Sequence, residues 1–280
     1  MQLTAQNTIG PYQLTARIGN PNMGEVWCAV RESDPHRVVA IKSLSLGLRR
    51  SAAMRTRFAE ECDLHQSLTH PGIVPVLACL EQDQEQYLVM PYLRGGSLED
   101  LLSRGPVDLQ RAITIAVDIL EALNYAHQAG VLHRDVKPSN ILLDGDRAFL
   151  SDFGVACRLG VPGPMRGESS GTIAYMSPEQ IQDPNRADQR SDAYGFGCVL
   201  YEMLTGRPPF PLLADQVCSD DQLKLMQVWA TPIPLRQLNS RIDPQLAELV
   251  MTALAKAASH RFAGCGAFAL ALRNYRGEAR

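Results

Sequence analysis

The stretch VLHRDVKPSNILLDGDRAFLSDFG, residues 131–154, constrains the fold more than any other part of the 280-residue chain. Asp144-Gly145 sits between two apolar runs, ILL and AFL, and this predicts a β-hairpin turn. Pairing ILL with AFL brings the open ends of the hairpin together, with Asn140 on one side and Asp152 on the other. Two oxygen ligands then converge, as a hard cation such as Mg²⁺ requires. Asp135 lies five residues before Asn140, in an irregular stretch that also holds His133, Arg134 and Lys137. A carboxylate there can accept a hydroxyl proton, and an ammonium can offset charge on a phosphoryl group in transfer. Taken singly, Asp135, Asn140 and Asp152 suit a polar loop equally well, because their side chains also favour turns and caps.

The surroundings of this stretch divide in two. Residues 10 to 45 alternate in short apolar runs broken by turns, with VWCAV and RVVAIKSL as the clearest strands, so the chain begins as antiparallel sheet. A helix follows over residues 51 to 68, where Met54, Phe58, Glu61, His65 and Leu68 step by three or four and place a carboxylate within an apolar stripe. After the strand QYLVM, the segment PYLRGGS carries a proline and paired glycines, and a domain boundary is expected near Pro91 to Gly96. From there the pattern turns helical through LQRAITIAVDILEALNYAHQAG. Gly206 with Pro208 and Pro209 ends the helix GCVLYEMLT, and Asp243-Pro244 caps and starts QLAELVMTALAKA.

Composition narrows the function classes. The apolar content of 45% is enough for sizeable cores, and a net charge of −3 gives no global field for nucleic acid or an acidic membrane. The basic cluster Arg49, Arg50, Arg55 and Arg57 reads as a solvated helix face. Seven scattered cysteines without Cys-x-x-Cys spacing are expected as reduced thiols, and the histidines lack the spacing of a zinc site. With no uninterrupted apolar run of about 18 residues, no membrane span is expected, and a cytoplasmic location follows.

Residues 133–140 and 152–154 resemble the catalytic loop and metal motif of the protein kinase superfamily, HRDxKxxN followed by DFG. The superfamily's other marks occur in its order: GNPNMG at 19 to 24, VAIK at 39 to 42, Glu61 nine residues before His70-Pro71, GTIAYMSPE at 171 to 179, Asp192 and Arg261. They cover roughly residues 10 to 275. NMGEVW, MSPEQ and LYEMLTGRPPF are similar to bacterial kinases of the eukaryotic-like serine/threonine type. The resemblance implies an α+β, two-lobed kinase fold: a short extension over 1–9, a small antiparallel N-lobe with one key helix over 10–91, and a larger, mainly helical C-lobe over 92–280.

It also implies roles. Lys42 would hold the α- and β-phosphates of ATP, steadied by an ion pair to Glu61, which accounts for the carboxylate on the apolar stripe. In RVVAIK, alternation puts Val38, Ala40 and Lys42 on one face, so Ala40 and Val26 would enclose the adenine. Met90 would be the gatekeeper, and Pro91 and Leu93 would bind the adenine edge through backbone groups. Ile18, Gly19, Asn20, Pro21, Asn22, Met23 and Gly24 would cover the phosphates. Asp135 would orient or deprotonate the acceptor hydroxyl of a protein serine or threonine, Lys137 would meet the γ-phosphate, and Asn140 with Asp152 would hold Mg²⁺. Thr172 would bond Asp135 and Lys137, Glu179 would pair with Arg261, and Asp192 would brace the catalytic loop.

Two departures and one gap follow from the same alignment. Pro91 stands where glutamate is more usual, but the carbonyl used there survives. Pro21 falls on the second glycine position of the phosphate loop; it fixes φ near −65° and removes one N–H, while Asn22, Met23 and Gly24 keep theirs. A stiffer lid with weaker ATP binding or altered release is expected, and a pseudokinase or nucleotide-binding scaffold is the alternative function. Arg134 is the residue that in many relatives grips a phosphorylated activation segment, and Ser169 and Ser170 are the only hydroxyls between Gly154 and Gly171. Their phosphorylation is a hypothesis that mass spectrometry of active protein would overturn by finding neither serine modified.

Overall fold

The computed structural model describes residues 8–19, 24–158, 173–210 and 219–275. The chain forms two compact units, the first ending at Arg94 and the second starting at Gly95.

The first unit is a six-stranded antiparallel sheet in the order β1-β2-β3-β4-β6-β5. Its strands are β1 (Thr8–Ile9), β2 (Tyr12–Arg17), β3 (Gly24–Arg31), β4 (Asp34–Leu44), β5 (Ala78–Gln82) and β6 (Glu85–Pro91). Period-two alternation sends Leu14, Ala29, Val39, Ile41, Tyr87 and Val89 into one shared core with Ile9, so the register is fixed by burial. The β5–β6 hairpin turns on Asp83 and Gln84, both at positive φ (55° and 63°), without a glycine. A single-turn helix α1 (Leu46–Arg49) leads into α2 (Ala52–Gln66), whose N-cap Ser51 accepts the Met54 N–H. Phe58, Glu61, Cys62 and His65 are the buried residues of α2, and the His65 ring bonds the Val74 carbonyl at 2.7 Å.

Arg49 departs from the solvated face expected of its cluster. Because α1 lasts only one turn, its side chain folds back on the sheet and is 11% exposed. The guanidinium bonds the Leu44 carbonyl at 2.7 Å and the Ser43 hydroxyl at 3.1 Å, pairs with Glu85, and lies 3.5 Å from Glu25. Arg50 and Arg55 do face solvent.

The second unit is mainly helical. Short α3 (Leu98–Leu102) carries a Ser97/Asp100 capping box, and α4 (Leu109–Gln128) starts at the Asp108 cap. Ile115, Ala116, Ile119, Leu120 and Leu123 give α4 a fully buried apolar face. Strands β7 (Val131–Leu132) and β10 (Cys157–Arg158) pair, as do β8 (Ile141–Asp144) and β9 (Arg147–Leu150), with Gly145 at φ 59° in the turn. Then come α5 (Pro178–Gln182), α6 (Gln189–Thr205), α7 (Asp220–Trp229), α8 (Leu235–Leu238), α9 (Pro244–Ala253) and α10 (Cys265–Asn274). Gly206 ends α6 in the left-handed region, and Asp243 with Pro244 starts α9. The described residues thus give one antiparallel-sheet unit and one mainly helical unit, the α+β kinase fold that the resemblance implied.

Among the described residues the six cysteines are free thiols, and no helix is long and apolar enough to cross a membrane.

Candidate active site

In the first unit, β4 carries Lys42 towards α2. Its Nζ lies 2.5 Å from Glu61 Oε1, and both side chains are largely buried, at 15% and 7% exposure. The stripe position that looked anomalous in sequence is therefore an ion pair out of bulk water. Antiparallel register sets Val26 of β3 opposite Lys42, and Ala40 opposite Met90 of β6. Ala40 and Met90 are buried, Val26 and Leu93 half-buried, and Pro91 pairs with Val39 at the end of β6. Ile18 is 45% exposed, and the N–H groups of Ile18 and Gly19 both reach the Val26 carbonyl. Gly24 passes so close to β4 that a Cβ there would meet the Ser43 carbonyl at 2.8 Å, so only glycine fits. Asn20, Pro21, Asn22 and Met23 lie outside the described residues, as do Thr172, Ser169 and Ser170.

In the second unit, the loop after β7 gathers Asp135, Lys137 and Asn140. Lys137 Nζ lies 3.0 Å from Asp135 Oδ2, and Asn140 Nδ2 donates to that same oxygen at 3.0 Å and to the Asp135 carbonyl at 2.8 Å. Both partners of Nδ2 are acceptors, so the amide orientation is fixed by chemistry and Asn140 Oδ1 is the atom turned away from Asp135. The β8–β9 hairpin closes beneath: Ser151 donates its N–H and its hydroxyl to the Asn140 carbonyl at 2.9 and 3.0 Å. Asp152 follows directly, at φ 60°, with Oδ1 accepting the Gly154 N–H. A non-glycine residue held left-handed costs energy, and two such residues, Arg134 at φ 63° and Asp152, flank the loop.

Buried polar groups hold that strain. Asp192, at the start of α6, accepts the N–H of Arg134 at 2.8 Å through Oδ1, and the N–H of His133 at 3.0 Å through Oδ2. His127 of α4 reaches the same Oδ2 at 2.7 Å. Burial alone would raise the Asp192 pKa, but the hydrogen bond and charge of His127, with His133, outweigh it and hold the carboxyl below its ordinary range. The His133 ring takes the Asp135 N–H at Nδ1 (3.3 Å), so Nε2 carries the hydrogen donated to the Ser151 carbonyl at 3.0 Å. Gln180 Nε2 donates to the Arg134 carbonyl at 3.0 Å. Sequence reasoning gave no part to His127 or Gln180. Their partners lie 65 and 46 residues away, so no local spacing marks them.

The donor set fits magnesium. Asn140 Oδ1 and the Asp152 carboxylate are hard oxygen ligands, and Mg²⁺ is usually held by one or two carboxylates, with waters and phosphate oxygens completing the octahedron. Among the described residues no group of three or more His, Cys, Asp or Glu side chains is placed to hold a metal by itself.

The family model described as the protein kinase domain matches residues 12–271. The chain is 37% identical over 268 residues to the serine/threonine-protein kinase PknB of Mycolicibacterium smegmatis, covering 92% of this chain and 42% of that protein. It is 39% identical over 265 residues to PknD of Mycobacterium tuberculosis, covering 94% of this chain and 39% of PknD. The chain thus spans about two fifths of the length of these curated relatives. Among solved structures, the Mycobacterium tuberculosis PknI kinase domain superposes with a TM-score of 0.72 at 26% identity, covering 97% of this chain and 98% of that one. The chain belongs to the protein kinase domain family, with bacterial eukaryotic-like serine/threonine kinases among its relatives.

Proposed function

We propose that the chain transfers the γ-phosphoryl group of ATP to a serine or threonine hydroxyl of a protein, with Mg²⁺ as the metal. The observation that carries this reading is the buried Asp135 carboxylate, fixed on one oxygen by Lys137 and Asn140. Two donors on Oδ2 set the rotation of the group, so it can present a fixed oxygen to an incoming hydroxyl and accept its proton. Lys137 sits where an ammonium can exchange Asp135 for the oxygens of a transferring phosphoryl group. Lys42, steadied by Glu61, would hold the α- and β-phosphates. Magnesium held by Asn140 and Asp152 would supply neutralisation of phosphate charge. Dependence on ATP puts the reaction in the cytoplasm.

The test uses γ-labelled ATP, Mg²⁺ and dephosphorylated casein as acceptor. Label is expected in phosphoserine or phosphothreonine after acid hydrolysis, and a chelator should abolish it. Absence of label in casein and in the chain itself, together with nucleotide-induced thermal stabilisation, would support the scaffold alternative instead.

That alternative rests on Pro21. If the proline handicaps the phosphate lid, Pro21→Gly lowers KM for ATP or raises kcat, by about two- to fivefold for the loop freedom regained. Unchanged or poorer kinetics would show a loop adapted to its proline.

A further inference from the structure

Gln227 is fully buried on α7, and its amide makes three hydrogen bonds that phosphoryl transfer itself does not use. Nε2 donates to the carbonyls of Ile173 at 3.1 Å and Ala174 at 2.5 Å, and Oε1 accepts the Tyr194 hydroxyl at 2.6 Å. Behind it, Lys256 Nζ donates to the Gln227 carbonyl at 2.5 Å, the Met226 carbonyl at 3.3 Å and the Tyr194 hydroxyl at 3.2 Å, with the Phe210 ring centroid 4.2 Å away. The donors run one way, from Lys256 through Tyr194 to Gln227 and on to the backbone at 173 and 174. In a buried chain of this kind each bond polarises the next. Burial, with the neighbouring Cys198, raises the Tyr194 pKa well above its usual value, so its hydroxyl stays a donor.

The segment so held is next to Asp135. Tyr175 and Met176 line the same small cleft as Arg134, Asp135 and Val136. Tyr175 is also anchored from the other side, its hydroxyl donating to Glu202 at 2.6 Å, while Ile173 packs with Phe210 and Leu223. Tyr175 and Met176 therefore border Asp135, and they continue directly from the clamped pair Ile173 and Ala174. The segment has little regular structure to keep it in place, so its backbone position depends on what its carbonyls bond to.

We propose that Gln227, backed by Tyr194 and Lys256, is a positioning residue for the protein substrate: it clamps residues 173 and 174 so that the segment beside Asp135 presents a fixed surface to the acceptor polypeptide. The proposal rests on Asp135 as the hydroxyl-orienting group. Gln227→Met keeps length and packing but removes all three bonds. Steady-state kinetics with casein and ATP, and hydrolysis of ATP with water as acceptor, separate the two dependences. Gln227→Met should raise KM for casein about tenfold, the equivalent of one of the three hydrogen bonds removed being felt at the acceptor site, with KM for ATP and ATP hydrolysis within about twofold of the native chain. Tyr194→Phe, which keeps the ring and deletes the relay hydroxyl, should move KM for casein the same way by about threefold and covers the case in which Gln227→Met does not fold. A parallel loss of casein transfer, ATP hydrolysis and thermal stability, or an unchanged KM for casein in a folded variant, would overturn the proposal. A native chain that neither labels casein nor hydrolyses ATP would overturn the Asp135 assignment beneath it, and is recognised because it is seen before any variant is made.

Discussion

Asp135→Asn lowers kcat for phosphoryl transfer to casein by about 10²- to 10⁴-fold, the usual contribution of a positioned acid or base. The substitution is nearly isosteric, and an asparagine Oδ1 can still accept from Lys137 and Asn140. What disappears is the negative oxygen that a hydroxyl proton can move to. The fold should not register the change strongly, because the loop backbone hangs on Asp192 and His133 rather than on the Asp135 side chain. Thermal stability is therefore expected to stay within a few degrees, and KM for ATP within about twofold, since Lys42 and Glu61 are untouched. Equal label incorporation by the native chain and the variant would remove the carboxylate from the chemistry. A large loss of stability would instead mean that Asp135 is structural.

The parts of this molecule that could be read from sequence are those whose signal is local. Asp144-Gly145 between two apolar runs leads directly to β8 and β9: Asp144 pairs with Arg147 as the last rung, and Gly145 takes the positive φ (59°) that opens the turn. Glu61 stands out because a 3.6-residue period places it between Phe58 and His65, and only a partner such as Lys42 makes burial there tolerable. The β5–β6 hairpin left no such mark: its turn is Asp83-Gln84, and nothing in that pair announces a reversal. Arg49 misleads for a related reason. In a continuous helix it would share a face with its basic neighbours, but the single turn of α1 swings it under the sheet to Glu25 and Glu85. Gln227 and His127 are silent for the strongest reason, since the side-chain hydrogen bonds that define them reach partners more than 30 residues away.

Arg261→Met is expected to destabilise the second unit by about 3–5 kcal/mol, the cost of removing one partner of a buried ion pair. The Arg261 side chain is fully buried, and each of its five N–H donors has an acceptor. Nη1 and Nη2 grip the two oxygens of Glu179 at 2.7 and 2.9 Å, and the remaining donors reach the carbonyls of Ala255, Arg190 and Lys256. The guanidinium also lies over the Tyr194 ring, 4.7 Å from its centroid. Methionine fills much of the volume but leaves a buried carboxylate and three carbonyls without these donors. Arg261→Lys should recover only part of the loss, because an ammonium cannot reproduce the planar fork. Pairing Arg261→Met with Glu179→Leu should recover more, since the stranded charge goes with its partner. Acid supplies an independent check. Burial alone would raise the Glu179 pKa, but the hydrogen bonds and charge of Arg261, with the Ser191 hydroxyl, bring it below 4.5. A carboxylate with a lowered folded pKa contributes stability that is present above its unfolded pKa and is lost as pH falls through the folded value. The gap between the native chain and Arg261→Met, read as the difference in unfolding free energy from denaturant titrations, should therefore be full at pH 7 and narrow below about pH 4.5. A gap under about 1 kcal/mol at pH 7, or one that widens in acid, would show that this pair does not carry the stability assigned to it.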